Sequence, residues 1–174
     1  LGVEFTFQPF VKVEGLEARE FRSQKVNILD HTAIVFNSRN AIEHFFHLCK
    51  ELRITLPEDM KYFGISEKVI LYIQKFVQYR KRKVFFSPSG HWPDLLTVMA
   101  KHKTEKYLVP LSEGTSLEIA GQLDQKKIKH TACAMFRTVE AELDPETFQN
   151  YDMILIFTPV GVQSLLHNVP NFNQ

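Results

Sequence analysis

The chain has 174 residues, a formal net charge of +1 and a 44% share of hydrophobic residues, including 15 Phe. This length fits one domain or two small lobes, and the apolar content excludes a disordered chain. The nearly balanced charge gives no general attraction to nucleic acid or membrane surfaces, and no apolar run reaches the roughly 20 residues that cross a bilayer. Cys49 and Cys133 lack the spacing of a zinc site, and two cysteines make no disulfide scaffold. No secretory segment is visible, so we expect a reducing cytoplasm as the location.

Short apolar runs alternate with helical patterns along the chain. The predicted strands are Val3–Phe7, Ala33–Phe36, Met60–Phe63, Lys83–Phe86, Glu105–Val109, His130–Phe136 and Asp152–Phe157. The predicted helices are Ala41–Leu52, a helix capped by Ser66 with a buried stripe to Val77, Pro93–Lys101, Ser116–Leu123, a short helix after Pro145 and one from Val160. Strands separated by helices imply right-handed crossovers, so we predict an α/β fold with a mostly parallel sheet. The chain begins inside a predicted strand and stops at Gln174 soon after a strand–helix pair, so we expect both ends to be cut.

Two charged stretches lie outside the predicted helices, at Val11–Arg22 and Arg137–Leu143. Each follows a strand-like segment that ends in mixed polar residues. One interpretation is that the two stretches are the crossings of a two-stranded hinge between lobes. Two surface loops would have the same composition, and the sequence does not separate these alternatives.

A weak internal repeat relates two parts of the chain at an offset of 120 residues. The segment Ile34–Ile42 (IVFNSRNAI) aligns with Ile154–Val162 (ILIFTPVGV). In both copies a buried strand meets a hydroxyl residue, Ser38 or Thr158, and a small residue then opens a helix. Two copies of one strand–turn–helix device favour two similar lobes that face one cleft. Chance similarity among α/β units is the alternative.

The motifs of several common sites are absent from the sequence. There is no G-x-x-x-x-G-K-[ST] phosphate loop, no G-x-G-x-x-G fingerprint and no G-x-S-x-G nucleophile elbow. His44 and His47 lie three residues apart on a predicted helix without a third ligand, so we interpret them as surface or packing residues. The basic run Tyr79–Lys83 is interpreted as a solvated helix end, with binding of an acidic ligand as the alternative. We therefore expect neither a metal nor a cofactor.

Four turns each follow a predicted strand and precede a predicted helix. They are Asn37–Asn40, Gly64–Ser66, Pro88–Gly90 and Thr158–Gly161. The carboxyl ends of parallel strands share one edge, where open α/β sheets bind ligands, and helix N-termini offer free N–H groups to carboxylate or phosphate. Helix capping alone explains any single turn, but four such turns together predict a cleft that binds a polyanion.

At these residues the sequence resembles the uroporphyrinogen-III synthase family, in its divergent form. The family's Phe-Thr-Ser-x-x-Ala-Val turn is matched by Phe36–Ile42, and its Gly-x-x-Thr-Ala turn is matched loosely by Gly64–Ser66. A family strand that ends in Tyr-x-Thr is matched by Phe136–Thr138, and a Thr-Ser-Pro-Ser-Gly-Val turn by Phe157–Val162. The ordered set of motifs covers nearly all of the chain.

The resemblance implies two similar α/β lobes joined by a two-stranded linker, with the active site in the cleft between them. Residues 1–12 would belong to lobe 1, residues 13–138 would form lobe 2 with linker strands at its ends, and residues 139–174 would return to lobe 1. The rest of lobe 1, a first strand and helix and a last βαβ segment with a Gly-rich turn, would then lie outside this chain.

The resemblance also implies an activity in tetrapyrrole (heme) biosynthesis. Family members cyclise hydroxymethylbilane, a linear tetrapyrrole with eight carboxylates, with loss of water and inversion of the last pyrrole ring. The implied substrate-binding residues are Ser38, Arg39, Asn40, Gly64, Ser66, Thr158, Val160 and Gly161. We expect a monomer that makes at most transient contact with the preceding pathway enzyme and binds neither nucleic acid nor membrane. We also predict that Ser38 and Thr158 lie on opposite lobes and face the same cleft.

The sequence departs from the family pattern at four positions. Phe136 occupies the position of the family tyrosine that is often proposed to help the hydroxyl leave. Asn37 replaces a hydroxyl residue, Arg39 replaces a proline, and Val160 replaces a serine. Because ionisation at an electron-rich pyrrole is intrinsically easy, we expect no essential catalytic side chain and a mechanism based on orientation. The rival interpretation is a non-enzymatic two-lobed module that binds a small polyanion, which the missing tyrosine favours and the ordered motif set opposes.

Overall fold

The computed structural model describes residue 2 and residues 4–170. Its residues divide into two compact units, of which unit 2 is Gly15–Arg137 and unit 1 combines Leu1–Glu14 with Thr138–Gln174. The strands are β1 (Val11–Gly15), β2 (Ala33–Phe36), β3 (Lys61–Gly64), β4 (Val84–Phe86), β5 (Tyr107–Ser112) and β6 (His130–Glu140). The α-helices are α1 (Ala18–Ser23), α2 (Arg39–Glu51), α3 (Glu67–Ile70), α4 (Trp92–Ala100), α5 (Ser116–Gln125) and α6 (Pro159–Asn168). Short 3₁₀ turns lie at Ile28–Asp30, Leu71–Lys75, Lys81–Lys83 and Pro145–Asn150.

The strands form a six-stranded sheet in the order β1-β6-β5-β2-β3-β4. Strand β2 pairs in parallel with β3 and β5, and the parallel pairing continues from β3 to β4 and from β5 to β6. Alternate residues of each strand face opposite sides, so Ile34 and Phe36 pack with α2 and α3 while Ala33 and Val35 pack with α4 and α5. The predicted α/β class with a mostly parallel sheet flanked by helices is confirmed.

The edge strand β1 pairs with β6 in the opposite direction. The Leu16 N–H donates to Met135 O at 2.9 Å, and the Ala141 N–H donates to Phe10 O at 3.0 Å, so the two strands are antiparallel. Both strands also cross the boundary between the two units. The lobe boundaries that the sequence predicts, at residues 12/13 and 138/139, stay predictions.

Unit 1 has a small hydrophobic core of its own. Its buried members are Ala141, Leu143, Phe148 and Leu165. The ring of Phe10 lies 5.6 Å from that of Phe148, which ties the early part of the chain to the late part. The Asn168 side chain accepts from Leu143 N–H at 3.2 Å and donates to Ala141 O at 3.1 Å, so α6 is fixed to the segment after β6.

Two predicted strands are wrong. Residues 4–7 of the predicted strand Val3–Phe7 have no regular structure, while Val3 itself lies outside the described residues. The predicted strand Asp152–Phe157 is likewise irregular. Both carry strand-forming side chains that stay exposed, with Phe7 at 93% and Phe157 at 89%. A strand needs a neighbour for its backbone hydrogen bonds, and neither segment pairs with one in the described part of the chain.

Three local expectations also need correction. The stretch Val11–Arg22 is neither a loop nor free of helix, because Glu17 and Glu20 form a capping box that starts α1. The helix capped by Ser66 ends at Ile70 and continues only as a 3₁₀ turn to Lys75. The basic run Tyr79–Lys83 is therefore not a helix end but a loop that enters a 3₁₀ turn.

Candidate functional site

The turn after β2 begins the longest helix of unit 2. Ser38 is in extended conformation, with φ −156° and ψ 163°, and its Oγ accepts a hydrogen bond from Ala41 N–H at 3.1 Å. The Ile42 N–H bonds to Ser38 O, so the amides of Arg39 and Asn40 are those left at the helix start. No acidic side chain lies in the first turn of α2. This helix start can therefore accept an external anion.

The turn after β3 lies directly beside the turn after β2. Phe36 and Gly64 are register partners, and the Ile65 N–H donates to Phe36 O at 2.9 Å. A Cβ on Gly64 would lie 2.4 Å from Ile70 Cβ, so only glycine lets α3 return this closely over the strand end. Ser66 Oγ then accepts from Val69 N–H at 3.3 Å. The structure thus brings the predicted residues Ser38, Arg39, Asn40, Gly64 and Ser66 to one edge of the sheet.

The strand order gives this edge a particular place for a ligand. From β2 the chain moves outward through β3 and β4, then returns to the other side of β2 to form β5 and β6. The helices change sheet face at the same point, with α2 and α3 on one side and α4 and α5 on the other. Open α/β sheets bind ligands at such a switch point, outside the carboxyl ends of the strands. Ser38–Asn40 follow β2 at this point.

Two cationic side chains share one aromatic ring at this edge. Arg39 Cζ lies 5.6 Å from the centroid of the Tyr72 ring, and Lys75 Nζ lies 4.4 Å from it. Lys75 Nζ also donates to Tyr72 Oη at 3.3 Å. Among the described residues, no carboxylate lies within ion-pair distance of Arg39 or Lys75. Sequence reasoning missed Tyr72 and Lys75, because their spacing is that of any exposed pair on a helix.

The turn after β4 has a different character. Ser89 Oγ donates to the Asp94 carboxylate and accepts from His91 N–H at 3.2 Å. Ser87 and Ser89 hydroxyls lie 3.3 Å apart. Because Asp94 lies in the first turn of α4 and already neutralises that helix start, this turn is a poor acceptor of an added anion. Glu67 has the same effect at the start of α3.

The ring of Phe136 is buried in β6, opposite Ser112 at the carboxyl end of β5. It is 7% exposed, and it stacks on the His44 ring with centroids 5.4 Å apart and planes at 22°. Burial lowers the pKa of His44, which favours the neutral imidazole in this packed position. The next residue, Arg137, pairs with Glu20 and with Glu113 at 3.5 Å. Sequence reasoning missed this ion cluster because the three residues are far apart in the chain.

In unit 1, the turn before α6 repeats the geometry of the turn before α2. Thr158 Oγ1 accepts from Gly161 N–H at 3.1 Å, and no acidic side chain lies in the first turn of α6. A Cβ on Gly161 would lie 2.8 Å from Ile156 Cγ2, so the close approach requires glycine there. Val160 is 36% exposed. The two turns related by the internal repeat are therefore both capped by a hydroxyl and both free of first-turn carboxylates.

Two further classes of site are tested by the geometry. Within residues 4–170, no three His, Cys, Asp or Glu side chains are grouped so as to hold a metal ion. His44 packs against Phe136, and His47 is exposed. No helix in the described part is both long and apolar enough to cross a membrane.

Comparisons with known proteins agree on one family. The family model of uroporphyrinogen-III synthase HemD matches residues 1–174. A mutant uroporphyrinogen III synthase from the extremely thermophilic bacterium Thermus thermophilus has 12% identity and a TM-score of 0.59, over 92% of this chain and 66% of that one. Uroporphyrinogen-III synthetase from Helicobacter pylori has 12% identity and a TM-score of 0.59, over 91% of this chain and 70% of that one.

The extent of these matches defines what they establish. No curated protein shows significant sequence similarity to the chain. The chain spans about two thirds of the length of the two solved structures, and at 12% identity the likeness establishes the fold. The family model covers the whole chain, including the motifs on which the sequence resemblance rests. The chain belongs to the uroporphyrinogen-III synthase family.

Proposed function

We propose that this chain is a uroporphyrinogen-III synthase, a cyclising hydro-lyase that acts on hydroxymethylbilane in tetrapyrrole biosynthesis. The observation that carries the proposal is the family match over residues 1–174. It is supported by a helix start without first-turn carboxylates at the switch point of the sheet. Two lobes joined by a two-stranded linker are part of the proposal.

The first task of the proposed enzyme is to hold a flexible substrate with eight carboxylates. In unit 2 the amides of Arg39 and Asn40 and the side chains of Arg39 and Lys75 offer positive charge beside Ser38. Backbone N–H groups at a helix start bind carboxylates without any particular side chain. This explains how a proline-to-arginine departure at Arg39 is compatible with the function.

The second task is to select the inverted ring closure over the direct one. The C–O bond of the terminal hydroxymethyl group breaks as the pyrrole nitrogen donates its electron pair, and the departing hydroxide takes the pyrrole N–H proton and leaves as water. The last ring then inverts through a spiro intermediate before the macrocycle closes. Holding the reacting carbons in contact is a matter of orientation, which alone lowers a barrier by about 7–11 kcal/mol in favourable cases. Phe136 offers no proton, so catalysis here is proposed to depend on binding geometry.

The remaining substrate contacts are proposed from the repeat. We infer that Thr158, Val160 and Gly161 bind substrate carboxylates, as the helix start at Ser38 does, and that Gly64 and Ser66 border the Ser38 site. The matching cap geometry of Ser38 and Thr158 supports this inference. The protein is further proposed to be a cytoplasmic monomer without a cofactor, in transient contact with the enzyme that supplies its unstable substrate.

A second function has one observation in its favour. A binding module for a small polyanion would need the same helix starts but no proton donor. Phe136, buried against His44, carries no hydroxyl to donate a proton, which favours such a module. Activity separates the two.

The test is incubation of the full chain with hydroxymethylbilane generated in place, without metal or nucleotide. We expect the type III isomer, resolved from type I by chromatography. Type I alone, formed at the rate seen without protein, would exclude the synthase and leave the binding module.

A further inference from the structure

A basic groove of about 340 Å³ lies in unit 2 at the amino ends of the strands, whereas Ser38 lies at their carboxyl ends. It is lined by residues that precede strands β2, β5 and β6 or begin them. The lining residues are Lys25, Val26, Asn27, Asp30, His31, Lys106, Lys129, His130 and Thr131. None of these residues is part of the proposed synthase site. The groove holds three lysines and two histidines against one carboxylate, so its lining is cationic.

Two of the lysines are placed side by side by the sheet itself. Tyr107 and His130 are register partners on the parallel strands β5 and β6, and the Tyr107 N–H donates to Lys129 O at 3.0 Å. Lys106 and Lys129 immediately precede these two strands, which lie about 5 Å apart, and are therefore neighbours. Like charges at such neighbouring positions repel each other. The pairing is unfavourable in the empty groove and becomes favourable when an anion lies between the two ammonium groups.

The third lysine comes from the end of α1. Lys25 has φ +55°, the left-handed conformation that disfavours a residue with a Cβ. This backbone turn brings Lys25 to the groove beside Val26. No carboxylate in the described part of the chain lies within ion-pair distance of Lys25, Lys106 or Lys129. Asp30 accepts a hydrogen bond from Asn27 Nδ2 at 2.9 Å instead.

The two histidines are held in matching orientations. His31 Nδ1 lies 2.9 Å from Asn27 O, and His130 Nδ1 lies 3.0 Å from Ile128 O. A carbonyl oxygen can only accept, so Nδ1 carries the proton in both rings and Nε2 is left for a ligand. His31 is only 9% exposed, so its ring is fixed by the fold.

We propose that this groove is a second ligand site, which binds a small anion with at least two negative charges on phosphate or carboxylate groups. A groove of this volume suits a molecule of metabolite size rather than a polymer. The site is independent of the proposed synthase activity, since it uses none of the residues that follow β2, β3 or β4. The ammonium groups of the three lysines supply the charge-assisted hydrogen bonds to the anion.

The experiment is calorimetric titration of the full chain with pyrophosphate and, separately, with citrate, at low ionic strength. We expect saturable one-to-one binding of at least one probe. The tighter probe identifies phosphate or carboxylate as the ligand chemistry. The double variant Lys106→Gln/Lys129→Gln is expected to lose at least tenfold in affinity. Its melting temperature without ligand should equal or exceed that of the wild type, because the repulsion is gone.

The matched control removes two lysines elsewhere. Lys50 and Lys103 are exposed and lie outside the groove, so Lys50→Gln/Lys103→Gln lowers the net charge equally. We expect this control to bind like the wild type, and a Ser38→Asp variant to do so too. Absence of saturable binding, or an equal loss in the control, would overturn the proposal. A lower melting temperature of the Lys106/Lys129 variant would assign the lysines to folding and overturn it as well.

Discussion

At the scale of single residues, Phe136 offers the sharpest test of how the proposed reaction is catalysed. Its ring is buried on His44, so a hydroxyl added there would have to find a partner inside the protein. If orientation dominates, Phe136→Tyr should change the rate of type III formation by less than about tenfold, below the usual range for a general acid. The buried hydroxyl should also lower the free energy of unfolding by about 1 kcal/mol.

Both effects of Phe136→Tyr can be measured on one preparation, by product chromatography and by urea unfolding. A rise in rate of a hundredfold or more would mean that proton donation limits the wild type. The orientation mechanism would then be wrong.

Ser38 has a capping role in the structure and a proposed binding role, and one substitution can separate the two. Asp caps a helix as well as Ser and suits its positive end. Ser38→Asp should therefore keep the melting temperature while its charge repels substrate carboxylates, weakening product binding more than tenfold. Ser38→Ala should lose about 1 kcal/mol of stability with the cap, and weaken binding by roughly 0.5–1.5 kcal/mol.

Ser38→Asn is the matched control, because it keeps the cap without a charge. Product binding close to the wild type is expected for it. Ser38→Trp, which adds bulk at the helix start, should abolish binding. If Ser38→Asp binds product as tightly as the wild type, the helix start does not hold a carboxylate.

At the scale of elements, a buried ion pair joins the starts of three neighbouring strands. Glu105 is 8% exposed, and it accepts hydrogen bonds from Lys61 and from Thr32 Oγ1. Burial raises the pKa of Glu105, but the bonds from Lys61 and Thr32 outweigh this effect and leave the pKa below its usual value. The carboxylate therefore stabilises the fold above pH 4.5, and this stability is lost as the pH falls through the lowered pKa.

The pH dependence gives Glu105→Gln a distinct signature. At pH 7 the variant should be less stable than the wild type by about 1.5 kcal/mol, the value of a hydrogen bond to a charged group. The difference should shrink as the pH falls below 4.5 in urea unfolding series. Glu58→Gln is the control, because Glu58 is 89% exposed and its contact with Arg80 is 3.7 Å long. A constant deficit for Glu105→Gln at every pH would contradict the linkage.

The elements differ in how far the sequence predicts them, and the difference follows their packing. Ala33–Phe36 is covered on both faces, so its continuous apolar run predicts the strand to the residue. Asp152–Phe157 has a similar run, yet a strand also depends on a neighbour that local sequence does not reveal. The helix α1 was missed because its capping box, Glu17 and Glu20, resembles an ordinary acidic stretch.

At the scale of the whole molecule, the site was predictable where it depends on strand ends and not where it depends on long-range contacts. The turns at Ser38 and Thr158 follow from a motif repeated in the chain, and both have the same cap. The approach of Arg39 and Lys75 to the Tyr72 ring depends on how the 3₁₀ turn after α3 packs. The basic groove depends on strand order, because β5 and β6 bring Lys106 and Lys129 together. Strand order is set by the tertiary fold, which no single window of sequence contains.

The separation of the hydrophobic cores leads to a prediction for unit 2 as a whole. Every buried member of its two main clusters lies between residues 18 and 136, whereas Phe148 and Leu165 belong to the separate cluster of unit 1. A segment with its own core can fold alone, so a fragment of residues 15–137 should unfold cooperatively in urea and keep dispersed NMR amide signals. Phe63 is fully buried among the rings of Phe85 and Tyr107, so Phe63→Asp in the same fragment should abolish both signatures and serves as the unfolded control. If the wild-type fragment behaves like this variant, the core of unit 2 depends on residues outside 15–137, and the two units fold as one.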